Sequence, residues 1–145
     1  MKIVIENPRN GEGDQIIIRC QNIDSDILAF LNDKSSQIST LTAYKDSEIY
    51  LVHPSDIYYI DTVDKKTFFY LKTEVYESKQ KLYELERLLP SCSFFRATKS
   101  TIVNLNKIKS IAPALSRRLM VTLENGERIF IAQRLVQNLK LRLGV

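Results

Sequence analysis

The chain has few residues suited to covalent or metal chemistry: two cysteines, one histidine and scattered carboxylates. Cys20 and Cys92 lie far apart, with no CxxC and no Cys/His spacing, and read as free thiols of a reducing compartment. His53 precedes Pro54 in a turn with no Cys, Asp or Glu at ligand spacing, so neither a metal site nor a cofactor is expected. A Cys/His nucleophilic pair would need Cys20 or Cys92 brought against His53, and nothing in the sequence does that. No GxxxxGK[ST], GxGxxG or GxSxG run occurs, and four glycines in all leave few candidates for a phosphate cradle. Asp61 and Asp64 could pair as carboxylates, but beside Lys65 and Lys66 they are more simply a solvated turn. The chain is not expected to be an enzyme.

What remains is positive charge. Ser93–Ile111 carries Arg96, Lys99, Lys107 and Lys109 and no acid. Phe94, Phe95, Ile102, Val103, Leu105, Ile108 and Ile111 would hold its backbone against a core, and Thr98, Ser100 and Thr101 add hydroxyls. Charge and hydroxyl donors on a braced backbone suit a phosphate-facing loop, although a solvated loop could have the same composition. Charge distribution favours the first reading. Residues 96–145 carry ten Lys/Arg against two acids, whereas residues 1–95 carry eleven against fifteen. A basic half joined to an acidic one points to a polyanionic partner without saying which.

Further cations fall at the ends of elements: Lys65 and Lys66, beside Thr67, at a hairpin tip, Arg117 and Arg118, and Arg134. The helical stretches 78–89 and 23–33 are balanced or acidic. Loops and hairpin tips, not a basic recognition helix, would therefore make any contact with DNA.

These residues must be positioned by a mainly β chain with short helices. KIVIE (2–6) and QIIIRC (15–20) flank a Pro/Gly/Asn-rich turn and predict a hairpin. Ile23, Ile27, Leu28 and Leu31 predict a helix over 23–33, and a strand follows at Ile38–Tyr44. Residues 1–45 thus form a β-β-α-β appendage to a domain over 46–145. EIYLV, DIYYIDTV and FFYLK read as strands, with a hairpin turn at Asp64–Lys66 and with Tyr58 and Tyr59 used in packing. SKQKLYELERLL predicts a helix capped by Ser78, striped by Leu82, Leu85 and Leu89, and stopped by Pro90. Ala112–Ala114 breaks the chain, RRLMVTL and RIFIA pair across Asn125-Gly126, and AQRLVQNLKLRLGV is a short amphipathic helix. No apolar run approaches the roughly 20 residues needed to span a bilayer, and the N-terminus lacks signal-peptide features. A cytoplasmic protein without a membrane partner is expected.

From about Glu48 to Leu143 the chain resembles the LytTR DNA-binding domain of bacterial transcription regulators. Three stretches carry the likeness: IYLVHPSDIYYIDTVDKKTFFYL, then FFRATKSTIVNLNKIKSI, similar to the family's F-x-R-x-H-[RK]-S-x-x-V-N-x-x-x-I, and then NGERIFIAQRLVQNLKLRL. The resemblance implies an elongated arrangement of mainly antiparallel sheets whose edge loops enter successive major grooves. The function it implies is a sequence-specific regulator of transcription bound to double-stranded DNA. By position, the DNA-facing residues would be Lys66 and Thr67, Thr98 and Lys99, and Arg134. Arg96 stays divided between phosphate contact and brace, and Lys107 between phosphate and solvent. Thr98 stands where the family usually has His, and a hydroxyl reaches less far toward a base. Many members carry a receiver domain ahead of this part. Residues 1–45 are too short for one, so a freestanding regulator is expected, with a homodimer contact through the appendage. The competing reading is a protein-interaction or RNA-binding module using the same basic face; a third is a small hydrolase using Asp61 or His53.

Overall fold

The computed structural model describes residues 40–145 and the isolated positions 5–7, 9–11, 19, 21, 22, 25 and 27. Apart from those positions, the hairpin expected over 2–6 and 15–20 and the helix expected over 23–33 lie outside the described residues. Of the strand expected at Ile38–Tyr44, the part from Leu41 is a strand.

Among the described residues, ten strands form two antiparallel sheets. The larger contains β1 (Leu41–Lys45), β2 (Glu48–Val52), β3 (Tyr59–Val63), β4 (Lys66–Tyr70), β5 (Val75–Ser78), β6 (Phe94–Arg96) and β7 (Thr101–Asn104), in the order β2-β1-β5-β4-β3-β7-β6. The smaller contains β8 (Ile108–Pro113), β9 (Leu119–Leu123) and β10 (Arg128–Ile131), in the order β10-β9-β8. Two short helices accompany them, α1 (Leu82–Leu88) and α2 (Val136–Leu143). The expected boundary at 45/46 falls inside the β1–β2 hairpin, whose two strands share the larger sheet. Tyr44 and Glu77 form the bridge from β1 to β5.

Sequence period explains the layering. Phe94 and Phe95 are neighbours in β6 yet enter different cores, as do Ile102 and Val103 in β7, because strand side chains alternate between faces. One core joins Ile60, Phe69, Phe94 and Ile102 to Leu82, Leu85 and Leu89 on and just after α1. The other joins Phe95, Val103 and Tyr58 to Val121, Leu123, Ile129 and Ile131 of the smaller sheet and Leu139 of α2. The β6–β7 side of the larger sheet is thus a middle layer. Fully burying a leucine such as Leu85 or Leu139 contributes about 1.5–3 kcal/mol.

Tight turns set the hairpins. Asp64 and Lys65 take φ of 50° and 66°, and Asp46 and Ser47 take the same pair of values. A two-residue loop with both φ positive matches the right-handed twist of its strands. Three details differ from expectation. Ser78 does not cap α1: it is buried at the end of β5 opposite Thr67, where its Oγ accepts the Gln80 N–H at 3.1 Å. The ladder with β4 claims Ser78 first, and α1 begins at Leu82 behind Lys81. Ala112 and Pro113 do not break the chain but finish β8, opposite Met120 and Leu119.

Candidate nucleic-acid interface

The strand ladders bring three tips to one end of the molecule. Asp61 pairs with Thr101 in the β3–β7 ladder, and the Thr62 N–H donates to Ser100 O at 2.9 Å. The Ala97–Ser100 loop therefore emerges beside the Asp64–Lys65 turn. With strands about 4.8 Å apart, the centres of these two tips are roughly 10 Å apart. The Ala132 N–H then donates to Ala97 O at 3.1 Å, setting the exit of β10 against the same loop.

The middle loop is held from within. Arg96 Nε–H donates to Thr98 O at 2.9 Å, its Nη2 donates to Lys99 O, and its Nη1 lies 2.9 Å from the Glu86 carboxylate of α1. Thr98 Oγ1 accepts the Ser100 N–H at 3.2 Å. Asp61 Oδ1 accepts from Thr101 Oγ1 and from the Thr62 N–H, each at 3.0 Å. At the far end of β7, buried Asn104 donates from Nδ2 to Ile57 O at 2.8 Å and accepts the Asn106 N–H at 3.0 Å.

The expected site residues separate accordingly. Lys66, Lys99 and Arg134 are exposed at this end, and among the described residues their side chains have no hydrogen bond or ion pair. Thr98 is half-buried, its hydroxyl occupied by the loop backbone. Arg96 gives its guanidinium to the loop and to Glu86. Thr67 does not face outward, contrary to expectation: it is 6% exposed, because alternation along β4 sends Lys66 to solvent and Thr67 to the Ser78 side. Lys107 lies at the opposite end of β7, its Nζ 5.1 Å from the Tyr58 ring centre and its carbonyl accepting the Glu124 N–H at 2.9 Å.

The electrostatics favour anions at the tips. Lys65, Lys66, Lys99, Arg117 and Arg134 are exposed, while Asp61 is engaged by Thr101 and Asp64 sits in the turn. Glu124 and Glu127 lie at the other end of the smaller sheet. Tyr59 and Tyr70 stack across β3 and β4, with ring centres 4.3 Å apart and planes 3° from parallel. Burial, reinforced by nearby carboxylates, raises both phenol pKa values above the ordinary tyrosine range, so the pair stays neutral near neutral pH. Among the described residues there is no group of three or more His, Cys, Asp or Glu that could hold a metal. No helix among them is long and apolar enough to cross a membrane.

Sequence reasoning missed two features of this end. Asp61 ties β3 to the base of the loop, and its only signal was an acid amid an apolar run. The Ala97–Ala132 bond is a contact between distant segments that no local pattern encodes. The resulting arrangement has free cations and backbone-held hydroxyls on a rigid strand end, without a nucleophile–base pair; it can bind phosphates and hydrogen-bond base edges.

A family model described as the LytTr DNA-binding domain matches residues 47–144. The sensory transduction protein LytT of Enterococcus faecalis is 28% identical over 113 residues, covering 78% of this chain and 47% of that protein. The transcriptional regulatory protein YpdB of Escherichia coli K12 is 35% identical over 86 residues, covering 59% and 35%. The chain thus spans about half or less of these two relatives. An uncharacterized HTH-type transcriptional regulator of Staphylococcus aureus is 26% identical over 150 residues, covering 100% of this chain and 99% of its own. Among solved structures, the LytTr DNA-binding domain of a methyl-accepting/DNA response regulator from Bacillus cereus aligns with a TM-score of 0.71 and 32% identity, covering 74% of this chain and 99% of that one.

Proposed function

The chain belongs to the LytTR DNA-binding domain family, and from that membership we propose that it is a transcription regulator that binds double-stranded DNA sequence-specifically. The observation that carries the proposal is the gathering of three tips, bearing Lys66, Lys99 and Arg134, by the Thr62–Ser100 and Ala97–Ala132 backbone bonds. Side chains leaving the ends of hydrogen-bonded strands are positioned before the partner arrives, which lowers the ordering cost of binding. In this reading Arg134 presents its planar fork to guanine O6 and N7 in a major groove. Lys99 and Lys66 reach bases or phosphates from the neighbouring tips. Thr98 adds at most a hydroxyl contact. Arg96 holds the loop, Thr67 packs, and Lys107 lies outside the contact.

The proposal extends to location and assembly: a bacterial cytoplasmic regulator that self-associates as a homodimer through the segment ahead of β1. No metal, cofactor or membrane takes part. A shortened chain that tests self-association should begin at Thr40, because Leu41–Lys45 belongs to the larger sheet. Equal sedimentation behaviour of the long and short chains would end the dimer proposal.

Mobility shifts against genomic duplex fragments, in the presence of competitor DNA, test the main reading. Saturable binding to a few fragments supports it. With four to six phosphates neutralised, log K should fall against log salt with a slope of roughly −4 to −5. A flat salt response, or equal affinity for RNA and any other polyanion, would overturn it.

A further inference from the structure

A fourth tip stands at the same end, on the far side of the smaller sheet's edge strand. Ala114–Arg118 joins β8 to β9, and both Pro113 and Ile131 face Leu119 in the ladders of the smaller sheet. Its last residue, Arg118, therefore lies level with Ala132, the donor to Ala97. β10 is the edge strand, with β9 on one side and Ala97 on the other. The fourth tip thus lies across β10 from the middle loop, centred roughly 7 Å from β10 at ordinary strand spacing.

Its two arginines are used differently. Arg118 is held, its Nε–H donating to Leu115 O at 3.2 Å and its guanidinium 4.8 Å from the Phe130 ring centre. Arg117 is exposed, with no hydrogen bond or ion pair among the described residues. Leu115 beside it is 83% exposed. Ser116 and Arg117 take φ of 60° and 56°, the left-handed region that glycine adopts without strain. The free cation Arg117 thus stands where glycine would be the easier residue, near a turn leucine that nothing among the described residues covers.

We propose that the Ala114–Arg118 turn is a further duplex-binding element. Arg117 contacts a backbone phosphate flanking the groove that Arg134 enters, Leu115 packs against the adjoining sugar edge, and Arg118 fixes the turn. This rests on the DNA-binding reading above and extends the contact past Arg134, on the side away from Lys66.

The test uses the full chain, Arg117→Gly and Arg117→Lys, with preferred and scrambled duplexes. Glycine suits the backbone at this position, so Arg117→Gly should keep or raise the thermal midpoint. It should weaken both duplexes about equally, by about fivefold near physiological salt, and make the salt slope shallower by roughly one. Arg117→Lys should bind like the parent. Hydroxyl-radical footprinting should show protection lost in Arg117→Gly at the end of the site that Arg134→Ala also alters, not the end altered by Lys66→Ala. If the parent binds DNA and Arg117→Gly matches its affinity and footprint, only the fourth contact is overturned. A leucine replaced in Leu115→Ser that abolishes self-association while leaving duplex affinity intact would also overturn it. A parent that binds no duplex overturns the wider reading and this one with it.

Discussion

Replacing Arg96 by methionine keeps most of the side-chain stem and removes the guanidinium that holds the middle loop. Two backbone carbonyls, Thr98 O and Lys99 O, would lose a charged donor. A hydrogen bond to a charged group contributes about 1.5–3 kcal/mol when well buried. The Arg96 side chain is 27% exposed, which favours about 1 kcal/mol for each bond. Glu86 is 53% exposed, so that ion pair adds only about 0.2–1 kcal/mol. The expected loss is about 2–3 kcal/mol, a fall in thermal midpoint of roughly 8–12 °C for a domain of this size. Glu86→Gln should cost no more than about 1 kcal/mol. Differential scanning calorimetry reads the midpoint, and salt-dependent mobility shifts read the number of phosphates engaged. A brace leaves the salt slope of the folded protein unchanged, because Arg96 itself touches no phosphate. An unchanged midpoint, together with a slope shallower by roughly one, would refute the argument and make Arg96 a phosphate contact.

Other expectations follow from the same geometry. Lys99→Ala and Arg134→Ala should each cost roughly 1–3 kcal/mol on the preferred duplex and relax preference at one base step, whereas Lys107→Ala should leave affinity and salt slope unchanged; three equal losses in mobility shifts would show interchangeable charge. Asn104→Ala should cost about 1–3 kcal/mol in denaturant unfolding with an unchanged m-value, since it leaves Ile57 O and the Asn106 N–H without their partner. Stability should fall as pH rises past the ordinary tyrosine value of 10.0: with the Tyr59 pKa raised in the fold, the unfolded chain loses that proton first. Denaturant midpoints from about pH 8 to about pH 11 should show this fall, and Tyr59→Phe should make it shallower.

Local rules made much of this fold legible. Asn125-Gly126 marked the β9–β10 hairpin, and the leucine spacing found the buried stripe at Leu82, Leu85 and Leu89. They failed where a neighbouring strand had the stronger claim. Ser78 has a capping residue's chemistry, yet the β4–β5 ladder takes it. Thr67 lies beside Lys66 in a basic tip, but the period of two in β4 sends the pair to opposite sides. Arg96 could not be assigned from the side chains beside it, because it donates to the backbone carbonyls of Thr98 and Lys99 and meets Glu86 on a separate helix. The resemblance pointed to Lys66, Lys99 and Arg134. Their meeting at one end depends on Ser100 finding Thr62, which continues the β3–β7 ladder, and on Ala97 finding Ala132, which sets the smaller sheet against the larger.

The connectivity of the larger sheet also governs how this protein should fold and breathe. Among the described residues, six of the eight strand pairings join strands adjacent in sequence, and β1–β5 and β3–β7 do not. Adjacent hairpins close short loops at little entropic cost, so those six can zip locally, and the two remaining joins set the pace of assembly. The two joins are unequal. β3 and β7 align over Tyr59–Val103, Ile60–Ile102 and Asp61–Thr101, whereas β1 meets β5 at Tyr44–Glu77. The β1–β2 hairpin is therefore the part of the sheet most readily released, a cooperative unit whose amides should exchange with solvent well before those of β3 and β7. The tips at the other side of the sheet would keep their spacing while that hairpin opens.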